Sequence, residues 1–204
     1  MAEINASVIY YSSTGTNYQM AQIAATALSE EGAQVRLVKV AELAPMAAIE
    51  MNPAWKAHYE ATSSVPEATL ADIETADLLI FSTPTRFGNV ASQMKQFLDQ
   101  AGPLWAGGKL TNKVVTAMTS ASTVHGGQEA TVLALNVTFM HWGMILVPPG
   151  YTDPVITEAG GNPYGTSVLA DGSELAHATR QAIRHQALRA LAVAKALVNA
   201  QALA

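Results

Sequence analysis

Three stretches of this 204-residue sequence concentrate side chains able to hold a charged or planar ligand. The first runs Ser12, Ser13, Thr14, Gly15, Thr16, Asn17 and carries four hydroxyls, one amide and one glycine, but no charge. At a helix entrance, free backbone N–H groups and the helix dipole favour an anion. Ser12, Thr14 and Thr16 add hydroxyl donors, Asn17 adds an amide, and Gly15 permits close backbone approach. A P-loop would place Gly-Lys-Ser/Thr here, and a dinucleotide fingerprint would need three spaced glycines. A phospho-acceptor receiver domain would need an aspartate near a strand end. None of these is present. What remains is a small phosphate held by neutral donors, as in a flavin mononucleotide (FMN) site. Taken alone, the loop reads equally well as a Ser/Thr-rich capping turn.

The second stretch, Thr83 to Asn89 (TPTRFGN), shifts that balance. Pro84 and Gly88 fix a turn, Arg86 and the backbone N–H groups can face an electron-rich ring edge, and Phe87 offers an apolar surface. The third, Ser120 to Glu129 (SASTVHGGQE), contains His125-Gly126-Gly127. An esterase oxyanion loop has that look, but the chain lacks the Gly-x-Ser-x-Gly elbow that would carry its nucleophile. Glycines against a flat ring, with a helix starting near Gln128, fit a flavin-lining loop better, and His125 reads as a solvated loop histidine. The five histidines lack short ligand spacings and cysteine is absent, so no metal site is expected. Trp105, just past Gly102-Pro103, reads as either a core anchor or a wall over the ring.

Such loops must be positioned by a scaffold. Val8 to Tyr11 is an apolar run expected to be a central strand. Met20, Ile23, Ala24, Ala27 and Leu28 then recur at helical spacing until Gly32. A strand over 35–40 follows, with Arg36 and Lys39 pointing to a sheet edge. After a long excursion over 41–65 come a short helix at 70–74 and a strand at 78–82. The next helix, marked by Met94, Phe97, Leu98 and Ala101, is expected to stop at Gly102-Pro103. Strands at 114–118 and 145–147 flank a helix over 128–140. A Gly/Pro-rich excursion spans 150–172, and Ser173 is placed to cap a long final helix. Alternating strands and helices imply parallel pairing with right-handed crossovers. The expectation is a single α/β domain over 1–204, a flavodoxin-like, doubly wound, five-stranded parallel sheet of order 2-1-3-4-5 with helices on both faces. Its ligand would lie beyond the carboxyl ends of the strands, where all three loops open.

Composition narrows the partners. Eleven Lys and Arg against sixteen Asp and Glu give a formal charge of −5, with no basic cluster to neutralise a nucleic-acid backbone. Residues 130–152 lack charge, yet Asn136, His141, Gly143, Pro148 and Pro149 interrupt them and no basic flank adjoins. A buried helix turning at Gly143 into a strand explains them better than a membrane span. With no signal-peptide pattern at the amino terminus, the expected location is the cytoplasm.

Several motifs then converge. YYSSTG, FSTPTRFGN, QMKQFLDQAGPLWAGGKL, GGQE, HWGM, VPPGY and GGNPYG together resemble the WrbA family of flavodoxin-like NAD(P)H:quinone oxidoreductases, over nearly the whole chain. The resemblance implies bound FMN, NADH or NADPH as co-substrate, a quinone as acceptor, and a homotetramer. By motif, Ser12, Ser13, Thr14, Gly15, Thr16 and Asn17 would bind the phosphate. Thr85, Arg86 and Phe87, followed by Gly88 and Asn89, would contact the isoalloxazine. Ser120, Ala121, Ser122, Thr123, Val124, His125 and Gly126 would follow the ribityl chain and ring. His141 would face the flavin, and Trp105 with Phe87 would line the substrate cavity. The chain departs from the family at Thr14, where a tyrosine contacting the nicotinamide is common, and at Thr123 to His125, where smaller residues are common. The implied chemistry is hydride transfer through the flavin followed by two-electron reduction of the quinone in the same cavity, without a side-chain nucleophile. A non-enzymatic flavodoxin-type carrier, or a flavin-dependent regulatory partner, is the alternative.

Overall fold

A computed structural model describes residues 3–201. In chain order the elements are β1 (Asn5–Tyr10), α1 (Thr16–Glu30), β2 (Gln34–Lys39), α2 (Met46–Glu50), α3 (Pro53–Ala61) and α4 (Leu70–Glu74). Then follow β3 (Leu78–Arg86), β4 (Asn89–Val90), α5 (Ser92–Asp99), α6 (Gly102–Ala106) and β5 (Val114–Ala121). The chain closes with α7 (Gln128–His141), β6 (Ile145–Leu146), α8 (Pro154–Glu158), β7 (Ser167–Leu169) and α9 (His177–Gln201).

The main sheet runs β2-β1-β3-β5-β6, all parallel, which is the expected 2-1-3-4-5 order of a flavodoxin-like fold. Side-chain alternation divides its core in two. Ala6, Val8, Tyr10, Leu78, Ile80, Val114 and Met118 meet α1 and α9 on one face. Ile9, Leu79, Phe81, Val115 and Ala117 meet α4, α5 and α7 on the other, where the Phe81 and Phe139 rings stack at 4.9 Å. Met20, Met94 and Met118 are buried, as core residues should be. β2 lies at the edge and alternates exposed with covered residues, in keeping with its Arg36 and Lys39.

The far edge departs from the expectation. The fifth strand is split: β6 pairs the start of β5 (Val114↔Ile145), and β7 pairs its end (Thr119↔Ser167). The excursion over 150–172 is therefore an insertion within one sheet position, and it carries α8 as well as β7. Two contacts fix its return. A Cβ on Gly165 would lie 2.2 Å from the Ala117 carbonyl oxygen, so only glycine permits that approach to β5. Gln186, buried on α9, donates to Thr116 Oγ1 (2.7 Å) and Ala117 O (2.8 Å) and accepts from the Thr166 N–H (2.8 Å).

Smaller corrections have local causes. β3 continues to Arg86 rather than ending at Ser82, because Thr85 and Arg86 pair with β4 in a hairpin. Gly102-Pro103 starts the short helix α6, with proline in its first turn where a missing N–H is harmless. Ser173 caps no helix: α9 begins four residues later, and the Ser173 hydroxyl donates to Asp171 at 2.6 Å. The excursion over 41–65 is mostly helical, as α2 and α3. On α9, His185 is half-buried, with Nε2 2.7 Å from Thr152 Oγ1. Among the described residues no helix is long and apolar enough to cross a membrane.

Candidate functional site

The three loops after β1, β3 and β5 do open on one edge, and each has a physical reason for its shape. In the first, Gly15 is the N-cap of α1 at φ +104°, where L-residues are strained. Its N–H donates to Ser12 Oγ at 3.0 Å. No side chain caps α1 and no acid stands in its first turn, so that helix entrance is left open to an anion. In the second loop, Phe87 (φ 52°) and Gly88 (φ 75°) form a two-residue hairpin connection between Arg86 and Asn89. Positive φ at both central positions is the type I′ pattern, which favours Asn-Gly. A phenylalanine held there, with its side chain fully exposed at 107%, is strained backbone presenting an apolar ring. In the third loop, Gly127 caps α7 at φ +89° and packs on the hairpin; a Cβ there would lie 2.5 Å from Gly88 Cα.

Hydrogen bonds stitch the loops together. Asn17, buried, donates to Ser82 Oγ (3.1 Å) and accepts from Ser120 Oγ (2.6 Å), which joins the start of α1 to β3 and β5. Its side-chain amide is thus committed to the scaffold, leaving its backbone N–H in the first turn of α1 as its contribution to an anion site. Arg86 donates to Ser13 Oγ (3.1 Å) and to the Thr85 carbonyl (3.0 Å). Thr131 donates to Thr85 Oγ1 at 2.7 Å, tying α7 to the hairpin. The result is a cleft of about 410 Å³.

Of the residues singled out from sequence, Ser12, Ser13, Thr14, Thr16 and Asn17 line this cleft, with Thr85, Arg86 and Phe87. Ser120, Ala121, Ser122 and Gly126 complete it from the third loop. Gly15 shapes the first loop from beneath, and Gly88 and Asn89 shape the hairpin. Thr123 does not line the cleft, although its carbonyl accepts from the Gly126 N–H (3.0 Å). Val124 and His125 turn instead into a neighbouring hollow between α7 and the second excursion. Two lining residues were not anticipated: Pro84, hidden within a motif read for its turn, and Ala170, which arrives with β7. Nothing local in the sequence marks Ala170, since its place depends on the split strand.

Trp105 and His141 are brought together, but away from the cleft. Trp105 Nε1 donates to the His141 carbonyl at 3.0 Å, and the indole is 57% exposed, so it is no core anchor. His141 ends α7, whose start borders the third loop. Fourteen helical residues span roughly 20 Å, which puts His141 out of reach of its own chain's cleft. Leu133, Val137 and Met140 form an exposed apolar stripe along the same helix.

The first excursion is anchored beside the first loop through one carboxylate. Glu42 accepts from Tyr11 Oη (2.9 Å), Trp55 Nε1 (3.2 Å) and Gln93 Nε2 (2.7 Å), and from the Leu43 and Ala44 N–H groups. Burial and this carboxylate together push the Tyr11 hydroxyl well above the ordinary phenol range. α3 thereby places His58 against α1, with its ring 5.6 Å from that of Tyr18. Burial, then the nearby Lys39 cation, holds the His58 imidazole below its usual pKa in the free protein. Sequence reading gave His58 no role.

Known proteins bear out the architecture. Residues 5–153 match the model of the NADPH-dependent FMN reductase family. A protein of Deinococcus radiodurans named NAD(P)H dehydrogenase (quinone) is 55% identical, over 92% of this chain and 94% of its own. One of the same name from Aromatoleum aromaticum is 40% identical, over 96% and 98%. Among solved structures, a WrbA-like flavodoxin from Agrobacterium tumefaciens superposes with a TM-score of 0.69 at 22% identity, covering 95% of this chain and 98% of that one. An archaeal flavodoxin gives 0.61 at 13% identity, covering 94% and 99%. At those identities the two structures speak to the fold alone. The chain belongs to the NADPH-dependent FMN reductase family, as a WrbA-type member with a flavodoxin-like fold.

Proposed function

We propose that this protein is an FMN-dependent NAD(P)H:quinone oxidoreductase that reduces quinones by two electrons in a ping-pong cycle. The observation that carries the reading is the cleft itself, built by three stitched loops over an uncapped helix entrance. Its volume of about 410 Å³ lies within the ~300–1,000 Å³ of small-molecule sites. The donor set fits FMN. The backbone N–H groups and hydroxyls from Ser12 to Asn17 suit the phosphate monoester. Arg86 and the hairpin backbone suit the ring edge, and Ser120 to Ser122 with Gly126 suit the ribityl chain and ring. When bound, FMN supplies the hydride and electron chemistry. The chain's own part is to hold, orient and cover. Phe87, projecting from its strained turn, is placed to wall a substrate cavity that nicotinamide and quinone occupy in turn. Relatives named for quinone dehydrogenation, similar over nearly their whole length, support that choice of substrates.

The same reading makes the enzyme a homotetramer whose site is complete only in the assembly. His141 and Trp105 stand together, too far from their own cleft to serve it, and flank an exposed apolar stripe on α7. A neighbouring chain would bring them over the flavin. The test of the cofactor assignment is direct: purified protein titrated with FMN should quench its fluorescence to saturation. Addition of NADH without oxygen should then bleach the visible absorption of the oxidised flavin. A protein that binds no FMN overturns the reading.

A further inference from the structure

The first loop has no charge of its own, yet a phosphate monoester brings about −1.5 to −2 at neutral pH. One cation already touches the loop, since Arg86 donates to Ser13 Oγ at 3.1 Å and lines the same cleft. A second ionisable side chain approaches the helix entrance from another element. A Cβ built on Gly15, the N-cap of α1, would meet His58 Nδ1 at 3.6 Å as its nearest neighbour. His58 sits on α3, which the Glu42 hub fastens beside the loop.

A small cavity of about 90 Å³ lies beside them, lined by both Ser12 and His58; it shares Ser12 with the cleft, whose own lining His58 does not join. Tyr10 borders it too. Its hydroxyl is fully buried and has no hydrogen-bond partner among the described residues. Its ring leads through Tyr18 (5.2 Å) to His58. Neither ring nitrogen of His58 makes a hydrogen bond among the described residues, so the imidazole keeps its bonding capacity for a proton or a ligand.

We propose that His58 is a positioning residue of the phosphate site, adding by protonation a second positive charge, beside that of Arg86, to a loop Ser12–Asn17 that has none of its own. The inference rests on the FMN reading and deepens it. The groups facing His58 set its behaviour. From β2 comes Lys39, whose Nζ donates to the Thr62 carbonyl at 2.6 Å. Glu42 is saturated by the donors of its hub, and Glu67 and Tyr59 border the cavity on its outer side. Burial holds the Tyr10 and Tyr11 hydroxyls well above the ordinary phenol range, so both are neutral at working pH. In the free protein, burial and then Lys39 therefore disfavour the charged imidazolium. An arriving phosphate anion favours the imidazolium, so the contribution of His58 to binding grows as the pH falls, and comparison with His58→Gln at the same pH cancels the titration of the phosphate itself.

The experiment compares FMN dissociation constants of the wild type and His58→Gln at pH 6.0 and 8.5, by fluorescence quenching, with riboflavin as the phosphate-free control. His58→Gln should weaken FMN roughly tenfold at pH 6.0 and less than about twofold at pH 8.5, while riboflavin is unaffected at either pH. Equal FMN affinities of the two proteins at pH 6.0 overturn the proposal, as does a loss shared equally by riboflavin. Should His58→Gln fold poorly, proton NMR of His58 in the wild type decides. FMN must raise its apparent pKa and riboflavin must not. A wild type that binds riboflavin and FMN alike, with His58 unmoved, refutes the role of His58 alone. One that binds neither refutes the FMN reading with it.

Discussion

Gly15 is where the phosphate assignment can be broken with one substitution. Its φ of +104° and ψ of −22° lie outside the regions open to L-residues. An added Cβ would sit 3.6 Å from His58 Nδ1, an ordinary contact, so the obstacle is backbone conformation, not space. Holding a non-glycine residue in such a region costs about 1–3 kcal/mol. In Gly15→Val the free loop escapes by relaxing to negative φ, turning its N–H groups away. Binding must then restore the strained arrangement, so the strain is read as lost affinity. Since 1.4 kcal/mol corresponds to a factor of ten, the FMN dissociation constant should rise about tenfold or more. Riboflavin, which has no phosphate to seat, should change by less than about threefold, and the thermal midpoint without ligand should move by only about 1–2 °C. Fluorescence quenching and a thermal scan measure all three. A shift of less than about twofold in FMN affinity would mean that the phosphate is held elsewhere, and the assignment of the first loop would be wrong.

The hairpin gives the opposite trade. Phe87→Asn puts a residue tolerant of positive φ into the type I′ turn, and should raise stability by about 1 kcal/mol, or the thermal midpoint by about 2–4 °C. The same change should raise the quinone KM, because the exposed ring is lost; unchanged quinone kinetics would remove Phe87 from the substrate wall. Asp72 governs acid stability. Burial alone would raise its carboxyl, but bonds from the Thr69 N–H, Arg36 and the Thr69 hydroxyl outweigh burial and hold it below the ordinary 3.8. Its stabilisation is therefore complete near neutral pH and is lost as the pH falls through the depressed folded-state value. Urea denaturation of Asp72→Asn should show a deficit at pH 7 that closes in strong acid, and a deficit constant with pH would refute the linkage. If His141 arrives from a neighbouring chain, FMN occupancy and turnover should fall together with molecular mass on dilution. A monomer that keeps full flavin affinity sinks that part of the account.

Much of the scaffold is legible because its signals are local. Apolar runs at Val8–Tyr11, 78–82 and 114–118 mark the buried central strands, and the breaks at Gly32 and Gly143 end helices where φ is positive. The three site loops are legible for the same reason, since each follows such a run. What escapes the sequence is whatever depends on contacts across the fold. β7 has only three residues and becomes a strand because Gln186 and Gly165 hold the returning chain against β5. β3 runs past Ser82 through polar residues because a hairpin partner waits at Asn89 and Val90. Ala170 enters the cleft as a consequence of β7. His58, on a helix with no buried residue, is placed by Glu42, sixteen positions earlier, and by no feature of its own segment. Asn17 is legible as a polar loop residue, but not as the cross-brace its burial makes it.

The central claim, FMN-dependent reduction of quinones, is tested most directly by initial rates of NADH oxidation with benzoquinone, measured with and without added FMN. The account predicts that turnover requires FMN and saturates in both substrates. Double-reciprocal plots at several quinone concentrations should be parallel, as expected when the two substrates take turns in one cavity. Intersecting lines would contradict the shared cavity. The absence of FMN-dependent turnover, in protein shown to bind FMN, would contradict the enzyme assignment itself.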